Sequence, residues 1–113
     1  MYYETNLGTA NTYFEITKAF EILEVTGSEP SHCYYGRSQI YVPTYRPLKV
    51  RKGGIILNLC GGIFYAEKAG AVCRPVTLAK NEKTPFEKRY YPDMHTWPLA
   101  NLKPIAPVPY VHA

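Results

Sequence analysis

Apolar and polar residues alternate in short runs through the middle of this chain, and glycine pairs interrupt the runs at a constant interval. Ile55 to Cys60 and Ile63 to Lys68 are β-prone segments bounded by Gly53-Gly54, Gly61-Gly62 and Ala69-Gly70, with eight residues from one turn to the next. Glycine tolerates the positive φ that two-residue hairpin turns require, so the pattern predicts a four-strand antiparallel meander over 47–78. Such turns pair 52 with 55, 60 with 63, and 68 with 71. Side chains alternate faces with period two, which puts Val50, Leu57, Ala66 and Cys73 beside Leu48, Leu59, Phe64 and Pro75 on a core face. Pro75 cannot donate to a ladder, so 71–78 is expected at a sheet edge.

The opposite face carries Lys49, Asn58, Tyr65 and Arg74 in one row, with Arg51, Ile56, Glu67 and Val72 beside it. Cation, amide, aromatic ring and cation are the parts that hold a phosphate-bearing ring compound. Lys49, Arg51 and Arg74 would neutralise phosphate, Tyr65 would stack on a base, and Asn58 would bond a base edge. The same four residue types also make an ordinary solvated sheet face, with Tyr65 and Arg74 as a cross-strand pair.

Towards the N-terminus two periods compete. Thr12 to Glu15 has the form of a capping box, and Tyr13, Ile16, Phe20 and Leu23 recur at helical spacing. Phe14, Ile16, Phe20 and Ile22 also alternate with polar or small residues as a strand does. The expectation is a short helix or turn over 12–19 passing into a strand over 20–26. Ser28 to Ser38 reads as a loop, and Gln39 to Val42 as a short strand closed by Pro43.

Prolines dominate from Pro85 onward, which favours extended chain. Ile105, Val108, Tyr110 and Val111 give this segment an apolar side, so 85–113 is expected to lie ordered on the sheet or on a neighbouring subunit, making a homo-oligomer. The whole is read as one domain over 1–113. It is mainly β, an antiparallel meander in a small sheet or half-open barrel with at most one short N-terminal helix; the alternative is α+β with a helix over 12–24.

At 113 residues, 46% of them hydrophobic and 19% charged, the composition is globular rather than disordered. No apolar run approaches the ~20 residues that span a bilayer, so no membrane is expected. Three cysteines without a Cys-x-x-Cys argue against a disulfide framework and, with no secretory layout at Met1 to Glu4, for the cytoplasm.

Charge is divided along the chain. Residues 1–36 hold five acids and one base, a balance of −4, while the remainder holds twelve bases and four acids, a balance of +8. That basic stretch favours anionic partners, unless the acidic N-terminal segment folds against it and neutralises it. Of the eleven tyrosines, six gather as Tyr34-Tyr35, Tyr41, Tyr45 and Tyr90-Tyr91, near Arg37, Arg46 and Arg89. Tyrosine with arginine marks contact surfaces.

Motifs of catalysis are missing. There is no Walker-type loop, no RNP1 octapeptide, no Gly-x-x-Gly clamp and no metal-ligand spacing among the histidines and cysteines. Trp97 beside Pro98 reads as a packing anchor. No catalytic residue, metal or cofactor is expected, though an enzyme would gain ground if His95 shared a pocket with Asp93 or a cysteine. The sequence therefore predicts a small non-catalytic binding protein for a nucleotide or single-stranded nucleic acid, held by Lys49, Arg51, Asn58, Tyr65 and Arg74. The alternative is a protein-binding inhibitor or adaptor of viral or mobile-element type, such as a counter-defence protein.

Overall fold

The computed structural model describes residues 4–78 and 94–112, with only the backbone at 4–5 and 94–95. In chain order the strands are β1 (Glu4–Thr5), β2 (Thr12–Ile16), β3 (Phe20–Tyr35), β4 (Ser38–Val50), β5 (Ile55–Leu59), β6 (Gly62–Ala66), β7 (Val72–Thr77), β8 (Met94–His95), β9 (Leu102–Ile105) and β10 (Val111–His112). A 3-10 turn, Leu99–Asn101, precedes β9. The protein is mainly β, as expected, and β1 pairs with β8 apart from the main sheet.

The main sheet runs β4-β3-β7-β6-β5-β2-β9 in antiparallel order, with β10 added in parallel to β7. β4 stands at one end of that order, yet only four residues separate Val50 from Ile55 in β5. The sheet must therefore curl until its two halves meet, without closing. Backbone bonds from Gly53 N to Ile16 O and from Ile16 N to Gly54 O, both 2.8 Å, fasten the corner where they meet. Inside the curl pack Ile16, Ile22, Val50, Ile56, Tyr65, Val76 and Trp97. Each such fully buried aliphatic side chain contributes about 1.5–3 kcal/mol of transfer free energy.

The outer face of β5, β6 and β7 is buried as well. Ile55, Leu57, Ala66 and Cys73 lie under Ile105, Val108 and Tyr110 of the proline-rich tail, which crosses the sheet from β9 to β7 as a strap. The strap is held by Gly70 N to Pro109 O at 2.6 Å and Val111 N to Ala71 O at 3.0 Å. Tyr13 and Tyr110 sit 6.3 Å apart by ring centroid, and His112 meets Phe64 edge-on at 6.4 Å. Over 102–112 the tail packs on the chain's own sheet; residues 85–93 of the expected 85–113 segment lie outside the described residues.

Several expectations need correction. Gly53-Gly54 is the corner between the sheet's halves and not a hairpin, so residues 47–50 pair with β3 instead of β5, and 51–52 belong to the corner. Leu59 faces Gly62, which makes Cys60-Gly61 the turn and shifts the register by two residues from the expected one. Because the shift is even, the side chains of β5, β6 and β7 keep their expected faces. Leu48 and Val50, expected beside Leu57, Ala66 and Cys73, instead lie in the inner core with Ile56 and Tyr65. The third turn stands as expected, with Tyr65 opposite Arg74 and Ala71 N bonded to Lys68 O. β7 is not an edge strand. Pro75 falls between the β10 pairing at 72–73 and the β3 pairing at 76–77, so its missing N–H leaves no ladder bond unmade on that side.

The expected helix over 12–19 is strand β2 and a tight bend. Phe14 and Ile16 point into the core while Tyr13 lies under the strap, so burial on both faces imitated helical spacing. Ser28 to Ser38 is mostly strand, not loop. Trp97 is the anchor its position suggested. Its backbone N–H donates to Asn6 Oδ1 at 2.6 Å, and Phe20 meets its ring edge-on.

Candidate functional site

The five residues read as one ligand surface are distributed over three environments. Asn58 is 8% exposed and Tyr65 3%. Asn58 Nδ2 donates to the carbonyls of Gly8 and Thr9 at 3.3 and 3.1 Å, and its backbone carbonyl accepts from Asn11 N. It therefore staples the 8–11 turn, where Asn11 holds a φ of 69°. Across from Asn58 stands Ile63, not Tyr65. The Tyr65 ring covers the backbone of Gly54 so closely that a Cβ there would lie 2.6 Å from Cε1. The middle of the row that was to face a ligand, Asn58 and Tyr65, is buried instead.

Arg74 is tied down at the rim. Its guanidinium lies 3.7 Å from Glu24 and 3.5 Å from Glu67. Arg46 reaches the same Glu24 carboxylate at 2.7 Å, and Lys49 stands directly opposite Glu21. The acidic strand β3 thus runs beside basic β4 and offsets its charge. These are partly exposed pairs, worth about 0–1 kcal/mol each.

Lys49 and Arg51 remain exposed, next to Lys52 on the corner and Lys18 on the adjoining bend. None of these four cations has an ion pair among the described residues. Asn101 holds the bend in place, donating from Nδ2 to the carbonyls of Lys18 and Ala19. Among the described residues no group of three or more His, Cys, Asp or Glu could hold a metal ion. The suggestion joining His95 to Asp93 concerns side chains outside the described residues.

Sequence reading missed the most prominent feature. After Glu24, β3 parts from β7, and it continues with β4 as a two-stranded arm to the turn at Gly36 and Arg37. About ten residues per strand at ~3.3 Å each give a projection of roughly 30 Å. The described molecule measures 45 × 24 × 22 Å, so the arm accounts for much of its long axis. A bulge between Val25 and Gly27 marks where the arm leaves the body, and the shift between Pro30 and Tyr34 lies near its tip. Ser31 knits that second irregularity. Its Oγ donates to Ile40 O at 2.7 Å and accepts from Cys33 N at 3.2 Å, while Gln39 Nε2 donates to its carbonyl.

The arm displays Tyr34, Tyr35 and Tyr41, exposed to 65, 74 and 58%. Residues directly opposite in a ladder share a face. Tyr34 stands over Gln39, Pro30 over Tyr41, Ser28 over Pro43 and Val25 over Tyr45. One face is therefore an aromatic and proline stripe of Tyr34, Tyr41, Tyr45, Pro30 and Pro43, and Tyr35 points to the other. Between Thr26 and Tyr45 the only charges are Glu29 and Arg37.

The chain matches no protein-family model, no curated protein and no solved structure.

Proposed function

We propose that this chain is a small non-catalytic binding protein that engages another protein through the β3–β4 arm. The observation that carries the reading is three largely exposed tyrosines on a projecting ribbon with one acid and one base in its twenty residues from Thr26 to Tyr45. Tyrosine supplies rigid amphipathic contact area, and interface centres are depleted of charge. A polyanion needs several cations in reach to displace its counterions, and the arm supplies one. Immobilised protein should retain a partner from nuclease-treated lysate, and Tyr35→Ala with Tyr41→Ala should abolish that retention. Capture that disappears with nuclease treatment would sink the reading.

A second reading keeps the phosphate-bearing ligand and moves it. Lys18, Lys49, Arg51 and Lys52 surround the corner at 51–54, and this local excess of positive charge suits a nucleotide or short single strand, without the stacking ring first assigned to it. Under this reading Arg51→Ala with Lys52→Ala lowers oligonucleotide affinity and flattens its salt dependence. Affinity indifferent to both would dismiss it.

A further inference from the structure

The β3–β4 ladder has two ends. Gly36 and Arg37 form the turn at one, and Phe20 opposite Val50 closes the other, where the chain enters the 51–54 corner. The bond from Gly53 N to Ile16 O brings the 17–19 bend to that corner. Ile55 stands opposite Ala66, so the turn carrying Lys68 lies at the same end of the β5–β6 ladder as the corner. Among the described residues, the acids at this end are each set against another cation. Glu15 stands opposite Lys103, Glu21 opposite Lys49, and Glu67 holds Arg74. Lys18, Arg51, Lys52 and Lys68 are left over, all exposed and none with an ion pair among the described residues.

A nucleotide site offers backbone amides to a phosphate and a ring to the base. Here the amides are spent. Gly53 N donates to Ile16 O, Gly54 N to Arg51 O and Thr17 N to Asn101 O, while Asn101 Nδ2 donates to the carbonyls of Lys18 and Ala19. The rings are enclosed. Tyr65 is 3% exposed, and Phe20 packs edge-on against Trp97. An unstacked base therefore gains nothing at this end, and the attraction that remains is between exposed cations and phosphates. One such contact is screened by salt. Several add up when a polyanion releases its counterions, and the gain is largest on a duplex, which carries one charge per about 1.7 Å of its axis.

We infer that Lys18, Arg51, Lys52 and Lys68 form a site for the phosphate backbone of duplex nucleic acid, bound without regard to base sequence. The inference rests on the phosphate-binding reading of the corner. It adds Lys68 to that corner and puts a duplex in place of a nucleotide or single strand.

Fluorescence anisotropy of a labelled DNA duplex of about 16 base pairs, titrated over a range of salt, tests it. Four contacts give a slope of log K against log salt of about −3.6, a ~100-fold loss between about 50 and 200 mM. Two duplexes of unrelated sequence should bind alike, and either single strand should bind more weakly. ATP should leave the duplex bound at concentrations where unlabelled duplex displaces it. Lys18→Ala with Lys68→Ala keeps the backbone carbonyls that Asn101 and Ala71 use. It should hold the wild-type thermal midpoint and bring the slope to about −1.8. Should that variant fail to fold, Lys18→Gln with Lys68→Gln takes its place. Arg46→Ala removes a cation already held by Glu24 and should leave the slope as in the wild type.

A single strand that binds more tightly than the duplex, or ATP that displaces it as well as unlabelled duplex does, would overturn the inference and leave the phosphate-binding reading of the corner standing. A wild-type slope without Lys18 and Lys68 would overturn it too. If neither duplex, single strand nor ATP binds at about 50 mM salt, both fall.

Discussion

Gly54 and Tyr65 show how one residue's absence of a side chain can fix a whole corner. The Tyr65 ring occupies the space a Cβ at Gly54 would need, 2.6 Å from Cε1 and 3.1 Å from its hydroxyl. Gly54→Ala should therefore destabilise the fold by about 1–3 kcal/mol, the usual range for overpacking, read as a lower denaturation midpoint at unchanged m-value. Asn58 is the polar counterpart. Replacing it by Ala removes the amide donor that the carbonyls of Gly8 and Thr9 share in a part-buried site, leaving Thr9 the Thr12 hydroxyl. The expected loss is ~1–3 kcal/mol, with faster amide exchange over 8–11. The same two residues mark the limit of sequence reading. Tyr65 and Asn58 are legible as sharing a face with Arg74, but whether that face meets water depends on strands more than thirty residues away.

At the level of elements, the strap and the arm behave differently. The strap's hold includes the Tyr13 phenol, which burial pushes above its ordinary value of 10.0, with Tyr110's charge and hydrogen bond adding to the rise. A group with a raised folded pKa contributes stability that is whole below its unfolded value and lost as pH climbs through the folded one. The strap should thus stay docked at pH 9 and loosen above about pH 10, seen as broadening of Val111 and His112 resonances before the core responds. The arm depends on local bonds instead. Ser31→Ala removes the hydroxyl that bridges Ile40 and Cys33. Its amides between 28 and 41 should then exchange faster while those of β5 and β6 do not. The arm escaped the sequence reading because Pro30 and Gly36 are loop signals everywhere except on the edge and at the turn of a two-stranded ribbon.

For the whole molecule, topology sets both stability and speed. The core joins β2, β3 and β4 to β5, β6 and β7, and residue 97 to residue 6, so few of its contacts are local. Refolding should accordingly take milliseconds to seconds, followed by the fluorescence of Trp97, the one tryptophan and a member of that core. The −4 and +8 halves of the charge distribution meet along β3 and β4, where Glu21 and Glu24 face Lys49 and Arg46. That contact explains why a basic sequence stretch is not a basic surface from end to end. No helix among the described residues is long and apolar enough to cross a membrane.

Local alternation and turn chemistry by themselves determined that the chain is β, that 55–77 is a meander, and which side chains share a face within it. Those properties follow from the two-residue period of a strand and from glycine's freedom at a turn, and both act over a few residues. Only the tertiary structure decided which face is inside, because burial depends on the curl that brings β4 beside β5 and on the strap that covers the far side. The candidate site moved for the same reason. A row of side chains is a property of its strand, but its contact with water or with another molecule belongs to everything packed around it.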